Sequence, residues 1–200
     1  MKEKLFTGNV LSRLDNIKQW SEKDTHLEES VSQHSYKVAV FATILFNKIY
    51  GRDHWDSRLE SLGYRITQYA LFHDWDEAII LRDLSHELKY NDYNGEEIRN
   101  VINDYVKHES KNLPLFLKKM IVGDIPPFVK KFVKICDWMA LLHFLKREKN
   151  LGNSCLEKER KYCLEQLDSS LDFLFEIDFE ENRPVSLNKW EIMDQISLLI

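Results

Sequence analysis

Apolar residues recur every three or four positions along nearly the whole chain, and very little interrupts them. Six glycines and four prolines are spread over 200 residues. Helix-breaking residues are therefore scarce, and the apolar spacing is that of a helix buried on one side. The clearest stripe is Val38, Phe41, Ala42, Leu45 and Ile49, on a helix that Ser32 can cap and that runs to about Tyr50. Leu59, Leu62, Ile66, Tyr69 and Ala70 make a second stripe, on a helix starting near Ser57. Val129, Phe132, Val133, Cys136, Ala140, Leu141 and Phe144 share one side of a third helix, which starts after Gly123-Asp124-Ile125-Pro126-Pro127. No stretch alternates with a period of two, so essentially no sheet is expected. The expected fold class is all-α, a compact helical bundle.

Shorter pieces complete the pattern. Leu11, Leu14 and Ile17 mark a first helix ending near Trp20, followed by a polar loop from Ser21 to Glu29. Ala78 to Leu88 reads as a broken helical segment, and Tyr90 to Gly95 as a turn rich in Asn, Asp and Gly. Helices are expected over Glu96 to His108 and Leu113 to Met120, then from about Ser154 with leucines at 164, 167, 171 and 174, and finally from Trp190 to Ile200. There is no repeat and no linker, so one domain spanning 1–200 is expected.

Composition narrows the function classes. A net charge of -5 argues against a nucleic-acid polymer as partner, because neutralising many phosphates needs a basic face. A small phosphate ester remains open. No segment has the length and apolarity of a membrane span, and Met1-Lys2-Glu3-Lys4 does not begin an apolar signal segment. Cys136, Cys155 and Cys163 are odd in number and form no CxxC pair, which reads as reduced thiols in a cytoplasmic protein.

Three positions on the apolar stripes are not apolar. His34 lies one turn before Val38. His73 continues the stripe of Ile66, Tyr69 and Ala70, with Asp74 beside it. Asp137 follows Val133 by one turn. Burying an imidazole or a carboxylate is costly without a partner. A divalent cation can serve several such groups at once, and mixed nitrogen and oxygen donors suit borderline metals without choosing among them. Glu77, four residues after His73, projects from the same face if the helix persists, where it can exchange protons with a water or a leaving group. Each feature has a plainer reading: His34 as a satisfied core histidine, Asp137 as the partner of a nearby Lys or Arg, Trp20 as a core aromatic. Asp76 reads as facing solvent. His86, His108 and His143 read as surface or structural residues, and Lys118-Lys119 and Lys130-Lys131 as solvated faces.

The order His34, His73-Asp74, Asp137 resembles the HD-domain metal-dependent phosphohydrolases, and more closely their YfbR-like 5'-deoxynucleotidase branch. The resemblance rests on Leu11-Ser12-Arg13-Leu14 through Trp20, Val31-Ser32-Gln33-His34-Ser35, the block from His73 to Tyr90, and Val133-Lys134-Ile135-Cys136-Asp137. It covers about residues 9 to 150, and the last fifty or so match no motif. It implies a compact HD-type bundle with one divalent ion (Co, Mn, Zn, Fe, Ni or Mg) on His34, His73, Asp74 and Asp137. It implies hydrolysis of a deoxynucleoside monophosphate to deoxynucleoside and phosphate. Glu77 and Asp83 match the family's acidic residues that work beside the metal, and Trp20 an aromatic that contacts the nucleoside. Dimers or higher homo-oligomers are usual among similar proteins.

The chain also departs from the family. Gln19 stands where the family has a phosphate-holding arginine, and Arg82 where it has glycine. Ser85-His86-Glu87 replace Pro-Thr-Pro-like residues, and the step from Glu77 to Asp83 is one residue longer. The metal ligands are untouched. Two alternatives follow: a triphosphohydrolase resembling the small HD enzymes of some bacteriophages, which remove triphosphate from dATP, and a nucleotide-binding HD module without turnover. The expected setting is the cytoplasm of a bacterium, or of its host if the gene belongs to a phage.

Overall fold

The computed structural model describes residues 7–50, 56–80, 95–112, 115–176 and 189–199. Among these the chain is helical. The order is α1 (Thr7–Asn16), α2 (Val31–Tyr50), α3 (Ser57–Phe72), α4 (Trp75–Ile80), α5 (Gly95–Glu109), a 3-10 turn (Ser110–Asn112), α6 (Leu115–Val122), α7 (Pro127–Asn150), α8 (Glu157–Glu176) and α9 (Lys189–Leu199). The all-α expectation holds: the described residues contain no strand, only one isolated antiparallel bridge between Lys18 and Ser30. None of the described helices is long and apolar enough to cross a membrane. Two compact units are formed, one from residues 1–35 and 72–125, the other from 36–71 and 126–200.

In the first unit, Leu14, Ile17, Val31, Trp75, Ala78 and Val106 form a buried cluster with Phe72, Ile80 and Ile102 packed against it. This joins α1, α4 and α5 around the start of α2. Helix α1 ends at Asn16, four residues short of the expected Trp20. The chain instead turns into the bridge: Val31 N–H donates to Ile17 O at 2.9 Å, and Gln19 N–H to Glu29 O at 2.7 Å. Burying Ile17 and Val31 side by side outweighs another turn of helix.

Ser30, not Ser32, caps α2. Its Oγ accepts from Gln33 N–H at 3.3 Å, and its own N–H donates to Gln33 Oε1 at 3.1 Å, a reciprocal capping box. Asp56 starts α3 similarly, its Oδ1 accepting from Arg58 and Leu59 N–H at 3.1 and 3.0 Å.

In the second unit the stripe Val38, Phe41, Ala42, Leu45 and Ile49 is buried as expected, with Phe46 beside it. The Phe46 ring meets Phe132 edge-on at 6.0 Å. Helix α7 differs from expectation. It is buried nearly all round, adding Ile135, Trp138, Met139, Leu142 and Leu145, while Leu141 is only half-buried. Pro127 opens it and Gly152, at φ 89°, lets the chain reverse after it. Helix α8 packs along α7 and buries Cys163, Leu167 and Leu171. Lys189 ties α9 back to Asp168 and Asp172 of α8.

Candidate metal centre

The centre begins with a helix that stops. α3 ends at Phe72 and α4 starts at Trp75, so His73 and Asp74 occupy a two-residue turn. The expectation that both lie on one continuous helix is corrected here. Adjacent residues of a helix point about 100° apart, which separates their side chains. The turn removes that constraint, and His73 Nε2 lies 3.0 Å from Asp74 Oδ2. The break is held by packing on its far side: Trp75 is buried, and its ring meets Phe72 at 5.2 Å. Glu77 N–H donates to Asp74 O at 3.1 Å and so re-enters the helix.

His34 approaches from the first turn of α2. Its Nε2 is 3.9 Å from Asp74 Oδ2, and its ring centroid is 5.6 Å from that of His73. One donor atom from each of His34, His73 and Asp74 falls within 4.8 Å of the others, the one such grouping of metal-type donors among the described residues. Donor atoms bound to a cation at about 2.1 Å stand roughly 3–3.5 Å apart. The His73–Asp74 spacing already matches this, and His34 Nε2, 3.9 Å from Asp74 Oδ2, stands roughly 0.5 Å beyond it. These side chains fit a divalent ion. His34 is 1 % exposed and Asp74 7 %, so neither can rely on bulk water for solvation.

The remaining predicted residues divide. Glu77 is buried at 1 % exposure, three residues past Asp74. Asp76, expected to face solvent, is half-buried. Trp20 and Gln19 are half-buried, and Trp20 has φ 61°, a left-handed backbone that is rare for a bulky residue. Such outliers gather at functional sites because the fold has to hold them there. Asp83, Arg82 and His86 lie outside the described residues. Asp137 belongs to the second unit, where it is buried and its Oδ2 accepts from Lys134 Nζ at 2.6 Å. That Nζ also sits 4.2 Å from the centre of the Trp138 ring. Asp137 thus has the nearby lysine of its plainer reading. His143 rests against Phe41, ring centroids 6.1 Å apart, as a structural histidine would.

One residue of this region escaped the sequence reading. Glu29, the last residue of the polar loop, is 4 % exposed, and its Oε1 is 3.6 Å from His34 Nδ1. The available signal was its place directly before the Ser30–Gln33 capping box, which fixes its backbone just ahead of the helix that carries His34.

A family model of YfbR-like 5'-deoxynucleotidases matches residues 6–179. The chain belongs to the YfbR-like 5'-deoxynucleotidase family. Solved structures resemble it too, among them two HD-domain phosphohydrolases. One is a cyanophage S-2L HD phosphohydrolase, DatZ, bound to dA and one catalytic Zn2+ ion: 15% identity, TM-score 0.64, covering 97% of this chain and 94% of that one. The other is an HD-domain phosphohydrolase, lin2634, from Listeria innocua: 22% identity, TM-score 0.63, covering 96% of each chain. No curated protein sequence matches the chain. As a YfbR-like protein it is a metal-dependent phosphohydrolase of deoxynucleotides, and His34, His73 and Asp74 form a group that could hold a metal ion.

Proposed function

We propose that this YfbR-like protein is a 5'-deoxynucleotidase, converting a deoxynucleoside monophosphate and water to a deoxynucleoside and phosphate. The observation that carries the proposal is the convergence of His34, His73 and Asp74, the first and last of them buried, in a chain whose family match covers residues 6–179. The dA and Zn2+ bound by the similar phage protein support a deoxynucleoside ligand beside a metal. The whole of 1–200 is proposed to act as one functional domain, and as a homo-oligomer.

In this reading His34, His73 and Asp74 hold the metal, with Asp137 as fourth ligand. A divalent ion bound there supplies the Lewis acid that acidifies a water and polarises a phosphoryl oxygen. The chain's own groups do the rest. Glu77, buried and fixed to the Asp74 turn by its backbone, takes the proton of the attacking water. Asp83 is proposed to help position that water, and the proton Glu77 has taken up is the one available to the departing sugar oxygen. Trp20 offers its face to the base or sugar, held there by its strained backbone. Gln19 stands at the phosphate end, where an amide gives a weaker hold than the family's arginine.

That substitution favours one other reading, hydrolysis at the α phosphorus of a deoxynucleoside triphosphate with release of triphosphate. Product analysis decides. dAMP and dATP are incubated separately with the protein and Mn2+, Co2+ or Zn2+. Orthophosphate from dAMP supports the nucleotidase, and triphosphate from dATP supports the alternative. Tight nucleotide binding with no product from either, under every metal, would replace both with a binding module.

A further inference from the structure

We infer that Glu29 is a positioning residue for His34: its carboxylate holds the Nδ1 side of the imidazole so that Nε2 is presented to the metal. The inference rests on the reading of His34 as a ligand, developed above, and adds a residue outside the ligand set.

The placement is specific. Glu29 is 4 % exposed and His34 1 %, and Oε1 lies 3.6 Å from Nδ1. That is slightly beyond hydrogen-bond length, and a movement of roughly 0.5 Å closes it. On the opposite side of the ring Nε2 faces Asp74 Oδ2 at 3.9 Å. A neutral imidazole carries one N–H. A carboxylate at Nδ1 draws the proton there and leaves the Nε2 lone pair for the metal.

The backbone of Glu29 is pinned from both directions. Its carbonyl accepts from Gln19 N–H at 2.7 Å, and the next residue, Ser30, caps α2 through Gln33. The backbone that carries the carboxylate therefore cannot shift without disturbing the start of the helix that carries His34. The same Gln19–Glu29 bond joins the segment leading to His34 to the segment with the strained Trp20. A buried carboxylate is costly to keep, and facing an imidazole nitrogen gives it a partner.

The test uses full-length protein stripped with a chelator. Co2+ is titrated against a chromophoric chelator, and the visible spectrum of the Co2+ protein is recorded. Glu29→Ala is expected to weaken Co2+ binding about 10- to 100-fold and to shift the visible bands. Glu29→Gln, which keeps a carbonyl acceptor for Nδ1–H, is expected to fall between parent and Glu29→Ala. Should Glu29→Ala fail to fold, Glu29→Asp carries the test, its carboxylate withdrawn by one methylene and its affinity lowered. Parental affinity together with a parental spectrum in Glu29→Ala, or in Glu29→Asp where that variant stands in, overturns the inference. His34→Ala separates the layers. If it loses Co2+ while the Glu29 variants do not, only the positioning role fails. If it binds Co2+ like the parent, the ligand assignment itself fails, and the Glu29 role with it.

Discussion

Asp74→Ala should abolish the thermal stabilisation that a divalent metal confers. The carboxylate is 7 % exposed, and its Oδ2 lies 3.0 Å from His73 Nε2 and 3.9 Å from His34 Nε2, so it is the donor common to both close pairs. Without it, two imidazoles 5.6 Å apart retain no shared carboxylate in this unit's cluster. In the parent, free metal at one hundred times its dissociation constant stabilises the folded state by about 2.7 kcal/mol. For a chain of this size melting in one transition, that raises Tm by roughly 5–11 °C. The assay is a pair of melts for each protein, one in chelator and one in excess Zn2+ or Co2+. The quantity compared is the metal-induced increment, because the substitution also changes the metal-free baseline. The variant's increment should fall below about 1 °C. A parental increment in Asp74→Ala would place the metal elsewhere and refute the centre built on His34, His73 and Asp74.

Other outcomes follow from the same structure. Ser30→Ala removes the acceptor of Gln33 N–H and should cost about 0.5–2 kcal/mol in urea unfolding, whereas Ser30→Gly should cost only a few tenths. Gly63→Leu should destabilise by about 1–3 kcal/mol in the same assay, since even a Cβ there would stand 3.0 Å from the Phe46 ring. A thiol reagent should label Cys155 in the native protein, and Cys136 and Cys163 only after unfolding, because those two are buried. Burial, then the charge of Asp137, pushes the Cys163 thiol up to about 12. The unfolded thiol therefore ionises first, the folded state binds more protons, and stability should decline as pH rises from about 9 towards 12. Cys163→Ala should flatten part of that decline in pH-dependent unfolding.

Much of this was legible in the order of residues, for a physical reason. Apolar spacing reports burial directly, so Val38, Phe41, Ala42, Leu45 and Ile49 revealed the face of α2, and His34 was conspicuous as a polar residue one turn ahead of them. His73 was conspicuous for the same reason. What was not legible depended on backbone departures that spacing does not encode. Nothing in Phe72-His73-Asp74-Trp75 is a helix breaker; the interruption is imposed by the burial of Trp75 and Ala78 with Leu14, Ile17 and Val31. The φ of 61° at Trp20 has no local signature either. Ser30 was missed although its signal was present, since Ser30 and Gln33 have the spacing of a capping box. Glu29 was missed because a polar loop is expected to be solvated, and its burial comes from the pairing of residues 17–19 with 29–31.

The break between α3 and α4 links these separate observations. A cation needs donors that face one another, and successive side chains leave a continuous helix about 100° apart. Stopping α3 at Phe72 gives up a turn of regular hydrogen bonding, which must be offset elsewhere. The offset is visible in the first unit's core, where Phe72 and Trp75, the residues on either side of the break, both join the apolar cluster. The cluster also includes Ile17 and Val31, the pair that closes the 17–31 loop and sets where α2 begins. One packed core therefore fixes both the turn that presents His73 and Asp74 and the helix start that presents His34. A change in that core should move the donor atoms of His34, His73 and Asp74 relative to one another, because the same cluster sets both backbone segments that carry them.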